Sequence, residues 1–202
     1  MVRRGTAARV VLPAVVLALT SGLGACATRG EPDQADRYWT APSACQLVSP
    51  QGARQLTGAA RGAPLEKPTD TRNTCRWPAP PAKARGRAAP PQPPRSLSVA
   101  VTMRNSPVGQ DDVRGEDLAA RDYGAWKRHD RAGRGSGLRG LGDQAFGQFT
   151  DHHGHVVVRD GNVLVTVNST EQAPARPDPT AQQRVRQRTV AAAREAVARM
   201  RS

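Results

Sequence analysis

The stretch His155-Val156-Val157-Val158-Arg159-Asp160-Gly161-Asn162-Val163-Leu164-Val165-Thr166-Val167 decides the fold. Its two halves are rich in β-branched residues, which suit a pleated, half-buried surface because their χ1 angles are already restricted. Asp-Gly between two such runs is a two-residue hairpin signal, since a type I′ turn needs positive φ at both central positions. With Asp160-Gly161 as the loop, Val158 pairs with Val163 and Val156 with Val165. These four valines then share one face with Val167. Val157 and Leu164 point the other way, and an apolar pair there implies that the second face is also covered, most simply by a helix. The expected fold is α+β, an antiparallel sheet packed against helices.

Downstream, a helix is predicted from Pro179 onward. Either Asp178 caps it with Pro179 following, or Thr180 to Gln183 forms a capping box. Val185, Thr189, Ala192, Ala193, Ala196 and Met200 recur at helical spacing, and Arg184, Arg186, Arg188, Arg194, Arg199 and Arg201 take the remaining surface. Its apolar side is small and Ala-rich, which favours packing on the sheet over insertion into a membrane.

Upstream, the strongest strand is Leu97, Val99, Val101 and Met103 alternating with Ser98, Ala100 and Thr102. Asn73 to Trp77 reads as a second strand. Ser49-Pro50 opens a short helix, with Ser as N-cap and Pro at the first position; Ala53 and Leu56 share a face, and Gly58 fits its end. Asp111 to Asp130 is charged and helix-compatible, with Val113, Leu118, Tyr123 and Trp126 as a loose inner stripe. Residues 78–95 hold seven prolines and no core-forming residue beyond Ala, and read as an exposed, polyproline-like insertion. Gly133 to Gly142 reads as a flexible glycine-rich segment.

The N-terminus carries a different kind of signal. Arg3, Arg4 and Arg9 precede the uncharged run Val10 to Leu19, and Leu23-Gly24-Ala25-Cys26 follows the turn-prone Ser21-Gly22. This order resembles a bacterial lipoprotein signal, which implies cleavage after residue 25 and lipid modification of Cys26. An uncleaved anchor helix is the competing reading, weakened by Pro13, Gly22 and Gly24. Two or more acyl chains would hold the domain stably at the outer face of the cell membrane. Residues 26–42 are polar without an apolar period and read as the lipidated N-terminus and a flexible tether, leaving 43–202 as a single domain.

With Cys26 assigned to lipid, Cys45 and Cys75 remain as a pair in an oxidising compartment, and a disulfide between them is expected. Two free thiols or a metal pair are the alternative, without CxxC spacing or a neighbouring His to support it. The link matters for a chain with 38% hydrophobic and only 3% aromatic residues, because little apolar area is available to bury.

The formal charge of +13 becomes +10 once Arg3, Arg4 and Arg9 are removed. Export and the excess of Arg over Lys, with abundant Ala, Gly and Pro, argue against nucleic acid as a partner. Anionic phospholipid headgroups or acidic wall polymers are the expected counterions, beside the plain alternative of a solvated basic surface.

No catalytic constellation is present, and no enzymatic activity is expected. Gly135-Ser136-Gly137-Leu138-Arg139-Gly140 matches GxGxxG, but a dinucleotide site needs that loop between a strand and a helix. In a chain with 19 Gly it reads as coincidence. Within Asp151-His152-His153-Gly154-His155, His153 and His155 would share a strand face and could bind zinc or copper, with Asp151 or His152 completing a site. Exposed histidines at a strand start explain the same residues. No other cofactor is expected.

Three patterns taken together resemble a known group. They are Ser43-Ala44-Cys45-Gln46-Leu47-Val48-Ser49-Pro50, then Cys75-Arg76-Trp77, then Gly140-Leu141-Gly142-Asp143-Gln144-Ala145-Phe146 followed by the Val-rich hairpin. The chain is similar over about residues 43–200 to the domain-of-unknown-function 3558 family, secreted lipoproteins of high-GC Gram-positive bacteria. The resemblance implies an α+β domain with an antiparallel sheet and a disulfide, and no established enzymatic activity. The proline-rich insertion and the basic glycine-rich loop depart from the pattern. The expectation is therefore a noncatalytic, membrane-anchored extracytoplasmic lipoprotein that binds a ligand, an envelope polymer or a protein partner, with metal binding through His152, His153 and His155 as the alternative.

Overall fold

A computed structural model describes residues 36–79, 95–109, 113–129, 135–172 and 178–202. The signal segment 1–25, Cys26 and most of the proline-rich insertion lie outside the described residues. The elements run as α1 (Pro50–Thr57), β1 (Ala63–Pro64), β2 (Arg72–Trp77), β3 (Arg95–Met103), α2 (Gly115–His129), β4 (Ser136–Gly137), β5 (Gln144–Phe149), β6 (His153–Asp160), β7 (Val163–Glu171) and α3 (Ala181–Met200). The strands form one seven-stranded antiparallel sheet in the order β1-β2-β3-β7-β6-β5-β4. The α+β expectation holds.

The local signals explain these elements. Ser49 accepts a hydrogen bond from the Gly52 amide at 3.0 Å, Pro50 begins α1, and Gly58 ends it in the left-handed region. At the start of α3, the Asp178 carboxylate accepts from the Thr180 amide at 2.9 Å, whereas Thr180 makes no side-chain cap. Asp178 is thus the residue that ties down this end.

The sheet has two unequal faces. Val99, Val101, Val156, Val158, Val163, Val165 and Val167 form the main core with α1 and α3, including Ala192, Ala193, Ala196 and Met200. On the reverse face Ala119 and Tyr123 of α2 cover Phe146, Val157 and Leu164. The apolar pair Val157 and Leu164 is covered by a helix, as the alternation implied. At Gly154 the helix α3 comes so close that a Cβ would overlap Thr189 Oγ1, so only glycine lets β6 and α3 pack at this depth.

The hairpin register differs from the one the Asp-Gly signal predicts. Asp160 pairs with Val163, so the loop is Gly161-Asn162, Val158 faces Val165 and Val156 faces Val167. Of the two loop residues only Gly161 has positive φ, +58°, and no non-glycine residue among those described does. A glycine at the first loop position suits the type II′ turn, not type I′. Asp160 and Asn162 are both fully buried and bonded to other parts of the chain, which holds this pairing in place. Because the pairing shifted by two residues, with Val158 opposite Val165 instead of Val163, every valine kept its face.

Three further expectations need correction. The tether ends earlier than residue 42, since 36–42 belongs to the folded unit. Asp36 accepts hydrogen bonds from the Ser106 amide and hydroxyl at 3.1 and 3.0 Å, and the Ala41 amide donates to the Asp70 carbonyl at 3.0 Å. Most of these attachments are polar, and Tyr38 and Ala41, which pack against the main core, are too few to make an apolar period. The inner stripe of α2 is Gly115, Ala119 and Tyr123, whereas Leu118 is half-buried and Trp126 is 48% exposed. Every fourth residue suffices there because the helix covers only a narrow apolar patch. Finally, residues 133–142 are not all loop: Ser136 and Gly137 pair with Gly147 and Phe146 as an edge strand.

Candidate functional site

Cys45 and Cys75 form a disulfide, with their Cα atoms 5.0 Å apart and a sequence separation of 30. It ties the 3-10 turn Ala44–Gln46 to β2 beside buried Trp77. The Ala44 amide also donates to the buried Asn73 side chain, so the two segments are joined by a covalent and a polar link.

The three histidines separate into two groups. His153 and His155 share a face of β6, with rings stacked at 6.5 Å between centroids, and Trp126 lies against His155 at 5.4 Å. His155 Nδ1 is 2.6 Å from Asn168 Oδ1. Burial, then the neighbouring His155 and His152, push the His153 pKa below the ordinary imidazole value. His152 instead turns to Asp151, with Nδ1 2.6 Å from Oδ1. Among the described residues no three His, Cys, Asp or Glu side chains are arranged to hold a metal ion. The GxGxxG residues fall in edge strand β4 and the turn after it, which leads to β5 and not to a helix.

A cleft of about 980 Å³ opens between α3 and the β4–β5 edge. One wall is the helix stripe Gln182, Arg186, Val190 and Arg194, flanked by Gln183 and Gln187; the other includes Leu138, Arg139 and Phe149. Residues four apart lie on one helix face, which is why this wall is continuous. Gln182 Nε2 donates to the Phe149 carbonyl at 2.8 Å and closes the helix onto β5. The Arg186 guanidinium sits over the Phe149 ring, 5.6 Å from its centroid. Of the described residues lining the cleft, Ser136 alone carries a hydroxyl, and no His, Asp, Glu, Lys, Tyr or Cys stands beside it. The arginine and amide groups of this lining are suited to holding a polar or anionic ligand.

A second polar cluster was not legible in sequence. The Asp160 carboxylate, fully buried, accepts from Tyr38 Oη at 2.6 Å and Arg201 Nε at 3.0 Å, and pairs with Arg37. Burial alone would raise its pKa; the hydrogen bonds from Arg201 and Tyr38 and the two arginine charges outweigh that and hold it below the usual carboxylate range. Beside it, Asn162 accepts from the Tyr38 amide at 2.9 Å and donates to the Tyr38 and Arg104 carbonyls at 2.8 and 3.0 Å. This satisfied cluster clasps the two ends of the domain to the hairpin, and its role is structural. The one hint in sequence was an acid in the middle of an apolar hairpin.

No family model, curated protein or solved structure matches the chain.

Proposed function

We propose that the chain is a noncatalytic, lipid-anchored lipoprotein at the outer face of the cell membrane, and that its domain binds a ligand in the cleft between α3 and the β4–β5 edge. The lipoprotein-like Leu23 to Cys26 box supports the address, and the disulfide between Cys45 and Cys75 accords with an oxidising compartment. The observation that carries the binding role is the cleft itself: its volume of about 980 Å³ suits a ligand, and its lining offers arginine and amide groups without a general base.

Hydrogen exchange of the mature chain, with and without a solubilised actinobacterial envelope extract, tests the site. Slowed exchange is expected at residues 136–141 and 182–194. No change, or slowing confined to other elements, overturns the cleft as the binding site. Fractionation of Cys26→Ala tests the address, with release from the membrane fraction as the expected result.

A second reading, zinc or copper binding, is favoured by the paired imidazoles of His153 and His155 on one strand face. Saturable heat on titrating the mature chain with either metal, lost in His155→Gln, is its expected outcome. A featureless titration removes it.

A further inference from the structure

The arginines of α3 sort by position. Arg184 pairs with Asp178, Arg188 with Glu171, Arg199 with Glu195, and Arg201, just past the helix end, with Asp160. Arg186 and Arg194 have no acidic partner among the described residues, and both line the cleft. Arg139, on the facing wall, is likewise exposed and without an acid. Other described arginines, such as Arg54 and Arg121, also lack an acidic partner, but none of them lines this cleft. Here the two unpaired arginines of α3, Arg186 and Arg194, both line the cleft of about 980 Å³.

Resting on the cleft as the binding site, we propose that its ligand is a linear polymer bearing phosphate groups, held by Arg139, Arg186 and Arg194. Arg186 and Arg194 are eight residues apart, about 12 Å along the axis at 1.5 Å per residue, so they engage two separated charges of an extended chain and not one small anion. The guanidinium fork matches phosphate oxygens, and a tetrahedral phosphate presents oxygens to both walls at once. Stacking over Phe149 restrains Arg186, which lowers the ordering cost of each contact. Gln183 and Gln187 supply hydrogen bonds to hydroxyls between the charges, while Leu138 and Val190 add apolar surface to the two facing walls. The concavity receives a strand-like chain, whereas a flat bilayer meets only its rim. Phe149 is its one aromatic residue and is already covered by Arg186, so the cleft offers no platform on which nucleic-acid bases could stack.

Titration of the mature chain carrying Cys26→Ser with linear inorganic polyphosphate, across a salt series, tests this. Three phosphate contacts at about 0.7 each give a slope of log K against log salt of about −2. Arg186→Gln with Arg194→Gln, its fold verified by circular dichroism, brings that slope to about −0.7 and weakens binding by at least about tenfold. Arg184→Gln with Arg199→Gln removes the same charge outside the cleft and leaves affinity within about twofold. Equal weakening by both pairs shows attraction by net charge alone and overturns the inference. So does equal, cleft-dependent binding of polyglutamate, or cleft-dependent binding of anionic phosphatidylglycerol vesicles in preference to polyphosphate. If the Arg186→Gln, Arg194→Gln chain keeps full exchange protection of the cleft by envelope extract, the site stands and the phosphate class falls. If extract never protects the cleft in the unmutated chain, the site itself falls.

Discussion

Arg201, the penultimate residue, holds the Asp160 carboxylate with two guanidinium nitrogens, Nε at 3.0 Å from Oδ2 and Nη2 on Oδ1. Tyr38 and Arg37 reach the same carboxylate from the other end of the domain. A single buried acid at the hairpin turn therefore joins the first described residues to the last ones.

Removing that acid is expected to loosen both ends. Asp160→Ala loses charge-assisted hydrogen bonds worth about 1.5–3 kcal/mol each before rehydration, and the half-exposed Arg37 and Arg201 recover part of this in water. A net loss of about 2–3 kcal/mol in urea unfolding is expected. Hydrogen exchange of the Tyr38 amide, which donates to Asn162, should quicken as well. A change below about 0.5 kcal/mol would mean that the clasp is ornamental.

The same carboxylate sets an acid limit. Its folded pKa is depressed, so its contribution is complete above the unfolded value of about 3.9 and disappears as pH falls through the lower folded value. The stability gap between the unmutated chain and Asp160→Asn should therefore be constant near neutrality and close only under strongly acidic conditions. His153 acts in a separate window. With its folded pKa lowered, the folded state binds fewer protons, so stability falls as pH drops below the unfolded value of about 6.5. His153→Gln should remove that step and leave the lower one.

Reduction tests the cross-link. For the 30-residue separation of Cys45 and Cys75, the chain-entropy model gives about 3–4 kcal/mol. Cys45→Ser with Cys75→Ser should lower the unfolding midpoint accordingly. Alkylation of the unreduced mature domain should find neither thiol free, and labelling at either would argue against the bond.

Packing between β6 and α3 offers a coupled test. Gly154→Ala sets a methyl against Thr189 and should cost about 1–3 kcal/mol, as overpacked cores do. Thr189→Ala removes the obstructing hydroxyl, at the expense of its hydrogen bond to the Val185 carbonyl. The double variant should be more stable than the sum of the two single losses, and strict additivity would exclude the contact.

Much of the fold was legible because hydropathy period reports which face of an element is buried. The valines of β6 and β7, the alternation in β3, the Ser49-Pro50 start of α1 and the Ala-rich stripe of α3 all follow from that period and from capping chemistry. The hairpin loop was misplaced by one residue because Asp-Gly is a turn signal only when Asp is free to sit in the loop. Here Asp160 is held inside by Arg37, Tyr38 and Arg201. Residues 36–42 read as tether because they are held largely by hydrogen bonds, and the two residues that pack on the core, Tyr38 and Ala41, make no apolar period. Of the candidate site, the helix wall was visible as arginines on α3, but the choice of Arg186 and Arg194 over their neighbours was not.

By itself the sequence determined the alternation of strands and helices, the two-sided burial of the β6–β7 hairpin, the pairing of Cys45 with Cys75 and the sign of the surface charge. Each depends on local spacing, on composition or on the count of cysteines. Tertiary structure alone decided the hairpin register, the docking of Arg37 and Tyr38, and which arginines remain unpaired around the cleft. Those depend on partners far away in the chain, Asp160 with Arg201 or Glu171 with Arg188, and a charge is neutralised only by a group that folding brings within a few ångströms.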